Sequence, residues 1–122
     1  MSIRSIRGLA ALGAVLGIGV TAAPAALAHA PVVGTFPAKG STASNVRTVG
    51  VRFGEAVVTG LITVKRANGT TVAAGQSGLA SGKKRLRAVF AKKLPAGRYT
   101  VSWRVRADDG DSQKGTFSFR AR

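Results

Sequence analysis

The chain has 122 residues, with 19 lysines and arginines against 4 acidic residues, one His and no Cys, and its formal charge is +15. This length accommodates one domain at most. The lack of Cys excludes disulfides, thiolate zinc sites, iron–sulfur clusters and a Cys nucleophile, and the single His excludes any site that needs two imidazoles from one chain.

The N-terminal segment has the pattern of a secretion signal. Two arginines precede an apolar stretch at residues 8–20, and Ala28 ends a small-x-small pattern typical of a signal-peptidase site. A membrane anchor would need about 20 uninterrupted apolar residues, and this stretch is shorter. We therefore predict that residues 1–28 are a signal peptide cleaved after Ala28, and that residues 29–122 form a periplasmic or extracellular domain.

The predicted cleavage makes His29 the first residue of the mature protein. A terminal His carries a free α-amine and an imidazole Nδ1, which together close one chelate ring on a metal. Both nitrogens suit Cu(II), which leads the divalent series in affinity and prefers tetragonal nitrogen and oxygen ligands. Neither nitrogen binds a metal while it is protonated, and the chelate does not exist in the precursor, where the amine is a peptide nitrogen.

Several segments of the remaining chain alternate between apolar and polar residues with a period of two, the pattern of a strand with one buried face. The clearest case is Arg98–Arg106, in which Tyr99 and Trp103 lie on the apolar face. No window of residues 29–122 has a helical period. About seven short strands with turns every 8–12 residues predict an all-β antiparallel sandwich.

Turns separate these predicted strands. Asn68-Gly69 suits a two-residue hairpin turn that needs positive φ. Residues 75–82 are small and polar, and we expect a loop there.

Three of the four carboxylates fall together in Asp108-Asp109-Gly110-Asp111, between two predicted strands. Asp and Gly favour tight turns, which is one explanation of this segment. Three adjacent carboxylates repel one another, however, unless cations neutralise them. Nearby arginines would serve, and so would a metal ion.

Five features in this order resemble the CopC family of copper resistance proteins, which includes PcoC. They cover essentially all of residues 29–122: an initial His29-Ala30, a Pro-Ala-x-Gly segment at residues 37–40, Phe-x-Glu-x-Val at residues 53–57, a Leu-Pro-x-Gly-x-Tyr-x-Val-x-Trp-Arg-Val stretch at residues 94–105, and Asp109-Gly110-Asp111 followed by Gly115 and Phe117.

The resemblance implies a Greek-key β-sandwich, immunoglobulin-like or cupredoxin-like, that binds Cu(II) outside the cytoplasm. The family motif is Asp-Gly-His, and here Asp111 stands in place of its His. The implied metal ligands are therefore His29, Asp109 and Asp111, a set with two nitrogens and two oxygens, and we expect weaker and less selective binding. The mature chain has no Met or Cys, so the Cu(I) site of some family members is absent.

The resemblance implies a copper buffer or carrier that acts in copper resistance or homeostasis, and we expect it to be monomeric and non-enzymatic. Its expected partners are the copper ion and a membrane copper transporter of the CopD type. We expect no catalysis, because no general acid–base pair or nucleophile stands out.

The alternative is a degenerate family member without metal, whose basic surface binds an anionic envelope polymer, a lipid or an acidic partner. Basic residues on outward strand positions fit this hypothesis: Arg98, Arg104, Arg106 and Arg120. We expect no nucleic-acid binding, because the aromatic side chains fall on predicted inward faces and leave few to stack on bases.

Overall fold

The computed structural model describes residues 30–122. The predicted signal peptide and His29 lie outside the described residues. The strands are β1 (Val32–Phe36), β2 (Thr42–Ala43), β3 (Thr48–Phe53), β4 (Thr59–Arg66), β5 (Gln76–Leu79), β6 (Arg85–Val89), β7 (Gly97–Arg106) and β8 (Ser112–Ala121). In this part of the chain, no helix is long and apolar enough to cross a membrane.

The strands form two four-stranded sheets. The first sheet has the order β1-β3-β6-β5 and the second has the order β2-β8-β7-β4. The chain crosses between the sheets at every connection except β5–β6 and β7–β8. This architecture confirms the all-β Greek-key sandwich. One detail differs from the purely antiparallel expectation, because the two-residue strand β2 runs parallel to β8.

Period-two alternation in β7 and β8 builds the core between the sheets. Along β7, buried and exposed positions alternate from Arg98 to Arg106 as predicted. The predicted inward aromatics are all buried, namely Phe53, Phe90, Tyr99, Trp103, Phe117 and Phe119. No polar or charged residue of the range 30–122 is buried. Apolar burial is the main favourable term that holds such a sandwich together.

Two local predictions need correction. The turn after β4 is longer than a two-residue hairpin, because the N–H of Gly69 donates to the carbonyl of Arg66 at 2.9 Å and only Gly69 within this turn has positive φ. The predicted loop at residues 75–82 contains β5, which pairs with β6 at the edge of the first sheet. Its Gly and Ser residues carry no β-propensity signal, and the segment is a strand because its backbone pairs with β6 and Leu79 packs against the core.

Tyr99 fixes the entry into β7. Its side chain is only 2% exposed, and its hydroxyl donates to the carbonyl of Pro95 at 2.6 Å. The ring stacks on Phe119 with the centroids 5.5 Å apart. A tyrosine that bonds back to the backbone a few residues upstream is the tyrosine corner of Greek-key sandwiches.

Tyr99→Phe should lower the free energy of unfolding by about 1–2 kcal/mol, because the Pro95 carbonyl loses its donor while the ring contact with Phe119 is kept. For a domain of this size, each kcal/mol corresponds to a fall of roughly 4–8 °C in Tm. Calorimetry of the two proteins measures this difference. An unchanged Tm would mean that water replaces the hydroxyl without loss.

Candidate metal centre

The acidic segment forms the tight turn between β7 and β8. The N–H of Gly110 donates to the carbonyl of Ala107 at 3.0 Å, and the N–H of Ala107 donates to the carbonyl of Asp111 at 2.9 Å. Gly110 has a φ of 90°, the left-handed region that favours glycine. One carboxylate oxygen of Asp109, Oδ1, accepts the N–H of Asp111 at 2.9 Å.

The same turn occurs a second time in this chain, after β4. There the N–H of Gly69 donates to the carbonyl of Arg66 at 2.9 Å, and the N–H of Arg66 donates to the carbonyl of Thr70 at 2.8 Å. Gly69 has a φ of 88°, and Oδ1 of Asn68 accepts the N–H of Thr70 at 2.9 Å. Asn68 therefore has the backbone role that Asp109 has in the acidic turn.

Comparison of the two turns shows which side chains the backbone conformation of the turn uses. Both turns use a side-chain oxygen at the position of Asp109 and a glycine at the position of Gly110, and in the turn after β4 an uncharged amide supplies that oxygen. Ala67 and Thr70 occupy the positions of Asp108 and Asp111, so the turn itself needs no carboxylate at either position. Turn chemistry thus accounts for part of the acidic segment and leaves the accumulation of charge unexplained.

The start of the described chain lies at the same end of the sandwich as the acidic turn. Ala30 is buried, and the carbonyl of Pro31 accepts the N–H of Gly54 at 2.8 Å. Four residues further on, the N–H of Val58 donates to the carbonyl of Arg106, the last residue of β7, at 2.7 Å. Four peptide units span at most about 14 Å. The short segment at residues 54–58 is therefore hydrogen-bonded to Pro31 at its start and to the base of the acidic turn at its end.

Packing beneath this end holds the two sheets in position. The ring of Trp103 meets Phe53 edge-on, with the centroids 5.4 Å apart. Gly115 lies directly opposite Trp103, and a Cβ built on it would lie 2.7 Å from Cζ2 of the indole. Glycine is required at this position because any side chain would displace the ring.

The predicted ligands can now be placed. Asp109 and Asp111 belong to one exposed turn, and His29 lies outside the described residues although its neighbour Ala30 is buried. Within residues 30–122, no three side chains of His, Cys, Asp or Glu come close enough together to hold a metal ion. The described carboxylates supply oxygen alone, so a nitrogen-containing site at this end depends on His29.

Glu55 is a further carboxylate at this end that the predicted ligand set did not include. It follows Gly54 in the segment that connects Pro31 to the acidic turn, and its side chain is exposed. The Phe-x-Glu-x-Val motif was the sequence signal for it. With Glu55, all four acidic side chains of the chain lie at one end of a protein whose formal charge is +15.

A model of the CopC domain matches residues 32–122. The chain belongs to the CopC family. Solved structures of similar proteins have the same fold. The structure of PcoC, a methionine-rich copper resistance protein from Escherichia coli, superposes with a TM-score of 0.68 at 20% identity, covering 77% of this chain and 99% of that one.

A second CopC structure is also similar. CopC from Methylosinus trichosporium OB3b superposes with a TM-score of 0.63 at 26% identity, covering 76% of this chain and 93% of that one. Comparison with curated protein sequences finds no significant match. In contrast to the methionine-rich PcoC, the present CopC protein has a single Met, at position 1.

Proposed function

We propose that this CopC protein binds Cu(II) outside the cytoplasm and serves as a copper buffer or carrier in copper resistance or homeostasis. The observation that carries the proposal is that, in a CopC domain, Ala30 and Pro31 (the residues that follow His29) and the acidic turn lie at one end of the sandwich. The two solved relatives named above are a copper resistance protein and a CopC protein.

The proposed ligands are the α-amine and imidazole of His29 and the carboxylates of Asp109 and Asp111. Cleavage after Ala28 is part of the proposal, because it creates the amine. Two nitrogens and two oxygens match the tetragonal preference of Cu(II). Burial of Ala30 supports the assignment of His29 as a ligand, since the residue next to His29 is packed into the core.

Only one of the two carboxylate oxygens of Asp109 is used in the hydrogen bond of the turn. Its Oδ1 accepts the N–H of Asp111, which leaves Oδ2 as the second acceptor of an exposed carboxylate. Asp111 provides an oxygen where the family motif has an imidazole nitrogen. Exchange of a nitrogen for an oxygen donor lowers the preference for Cu(II) over other divalent ions, and we therefore propose a weaker and less selective site. We propose delivery to a membrane transporter of the CopD type by a monomer without catalytic activity.

Titration of the exported protein with Cu(II), followed by electron paramagnetic resonance, tests the proposal. At one equivalent of copper we expect a tetragonal spectrum with two nitrogen and two oxygen donors. Mass spectrometry of the same sample should identify His29 as the first residue. A spectrum of the hydrated ion at every ratio would contradict the proposal and favour a CopC domain without metal.

A further inference from the structure

The outer face of the first sheet carries a cavity of about 470 Å³ beside the end of β3. Its charged lining residues are all basic: Arg52, Lys84, Arg85 and Arg87. The four other lining residues are uncharged. Ligand pockets in proteins usually measure about 300–1,000 Å³, so the cavity is of a size that takes a small ligand.

The register of the sheet forces these cations together. Arg52 of β3 lies directly opposite Arg85 of β6. Residues in such a pair have their Cβ atoms only about 4.5–5.5 Å apart, and like charges in this arrangement are destabilising. Arg87 follows on the same outer face, and Lys84 is tied to the strand end because its carbonyl accepts the N–H of Phe53 at 2.7 Å. A bound anion would replace this repulsion by attraction.

Both arginine side chains rest on the sheet. The guanidinium carbon of Arg85 lies 5.6 Å from the centroid of the Phe36 ring, within cation–π range. A Cβ built on Gly34 would lie 2.8 Å from Nη2 of Arg52, so that guanidinium covers the glycine. Side chains held in this way lose less conformational freedom when a ligand binds.

We propose that this cavity is a binding site for a phosphate group, held by Arg52 and Arg85 with Lys84 and Arg87 beside them. The planar guanidinium donates two parallel hydrogen bonds to phosphate oxygens. A phosphate monoester carries a charge of about −1.5 to −2 at neutral pH, and four cations match this charge better than they match one carboxylate. The site requires no copper and is independent of the copper proposal.

The outer face of the second sheet provides a control for the proposed phosphate site. A cavity of about 550 Å³ on its outer face is lined by only two basic residues, Arg104 and Lys114, among apolar and hydroxyl side chains. Arg98 and Arg120 also lie directly opposite each other on this sheet. Removal of the pair Arg98 and Arg120 changes the net charge as much as removal of Arg52 and Arg85 does, at a distance from the phosphate site.

Calorimetric titration with inorganic phosphate at low ionic strength measures the affinity. The double variant Arg52→Gln, Arg85→Gln should bind at least about tenfold more weakly than the unmodified protein, because two charge-assisted contacts are lost. The matched variant Arg98→Gln, Arg120→Gln should change the affinity less than about twofold, since screening weakens distant charges. Equal losses in both variants, or no saturable binding by the unmodified protein, would overturn the proposal.

Gly34→Ala tests the geometry without a change of charge. The added methyl group displaces the guanidinium of Arg52 and should weaken phosphate binding severalfold, and an unchanged affinity would overturn the assigned role of Arg52. Thermal unfolding verifies that each variant folds.

Vesicles distinguish two sources of the phosphate group. Binding to phosphatidic acid vesicles, whose headgroup is a phosphate monoester, assigns the site to a lipid headgroup if it is absent with phosphatidylcholine and lost in the Arg52→Gln, Arg85→Gln variant. Saturable binding of inorganic phosphate alone assigns it to a free anion.

Discussion

Insertion of Gly-Pro between Ala28 and His29 should lower the affinity for Cu(II) by more than about 100-fold, because the added residues convert the α-amine of His29 into a peptide nitrogen. Proline has no N–H, so it cannot supply the peptide nitrogen through which a new terminal amine would form its own chelate with His29. Changes to groups that merely orient metal ligands already cost about 10–100-fold, and this insertion removes a ligand. Mass spectrometry must first establish that the exported variant begins with the inserted glycine. The affinity is then measured by competition with a chelator of known strength.

The control for this variant is Gly-Pro added after Arg122, at the other terminus, which leaves the proposed ligands unchanged. His29→Ala keeps the amine but removes the imidazole, and it should also weaken binding. If the inserted Gly-Pro leaves the affinity unchanged, the terminal chelate is wrong and copper is held by carboxylates.

The dependence of this binding on pH separates nitrogen from oxygen ligands. The reference pKa values of an α-amine and an imidazole are about 8 and 6.5, whereas that of an Asp carboxyl is about 4. Protons compete with copper for the same atoms, so affinity at a terminal chelate should fall as the pH is lowered from 8 to 5. An affinity that stays constant over this range would indicate a site made of carboxylates.

The alternation of apolar and polar residues was the strongest sequence signal for the fold. It predicted strands correctly where one face of the strand is buried. In β7, every second residue from Tyr99 onward is buried, so the apolar pattern was enough to identify the strand. In β5 the pattern fails, because Gly78 and its neighbours form an edge strand through backbone pairing with β6. Strand pairing across the sheet is not written in the local sequence, and this strand was therefore predicted as a loop.

The acidic turn and the basic cavity show a similar limit for functional sites. The cluster of Asp108, Asp109 and Asp111 is contiguous in sequence and could be identified directly. Arg52 and Arg85 are 33 positions apart, and only the register between β3 and β6 brings them together. The basic residues singled out from the sequence lie on the second sheet, where outward alternation was most regular.

Asp109→Asn should weaken Cu(II) binding by about tenfold or more while leaving the fold intact. The turn after β4 supplies the reason, because there Oδ1 of Asn68 accepts the N–H of Thr70 at 2.9 Å with the same backbone geometry. The amide oxygen would therefore replace Oδ1 in the hydrogen bond to Asp111. Only the charge and the metal-binding capacity of the carboxylate are lost. We expect the free energy of unfolding to change by less than about 0.5 kcal/mol.

Three further variants make this experiment decisive. Asp108→Asn removes the same charge from the same turn at a position outside the proposed ligand set, so it should affect copper affinity far less than Asp109→Asn. Asp111→Asn should weaken binding as Asp109→Asn does. Asp109→Ala should cost about 1 kcal/mol of stability as well, because the N–H of Asp111 loses its acceptor. If Asp108→Asn and Asp109→Asn weaken binding equally, the turn attracts copper by its charge alone, and Asp109 has only the backbone role that Asn68 has in the other turn.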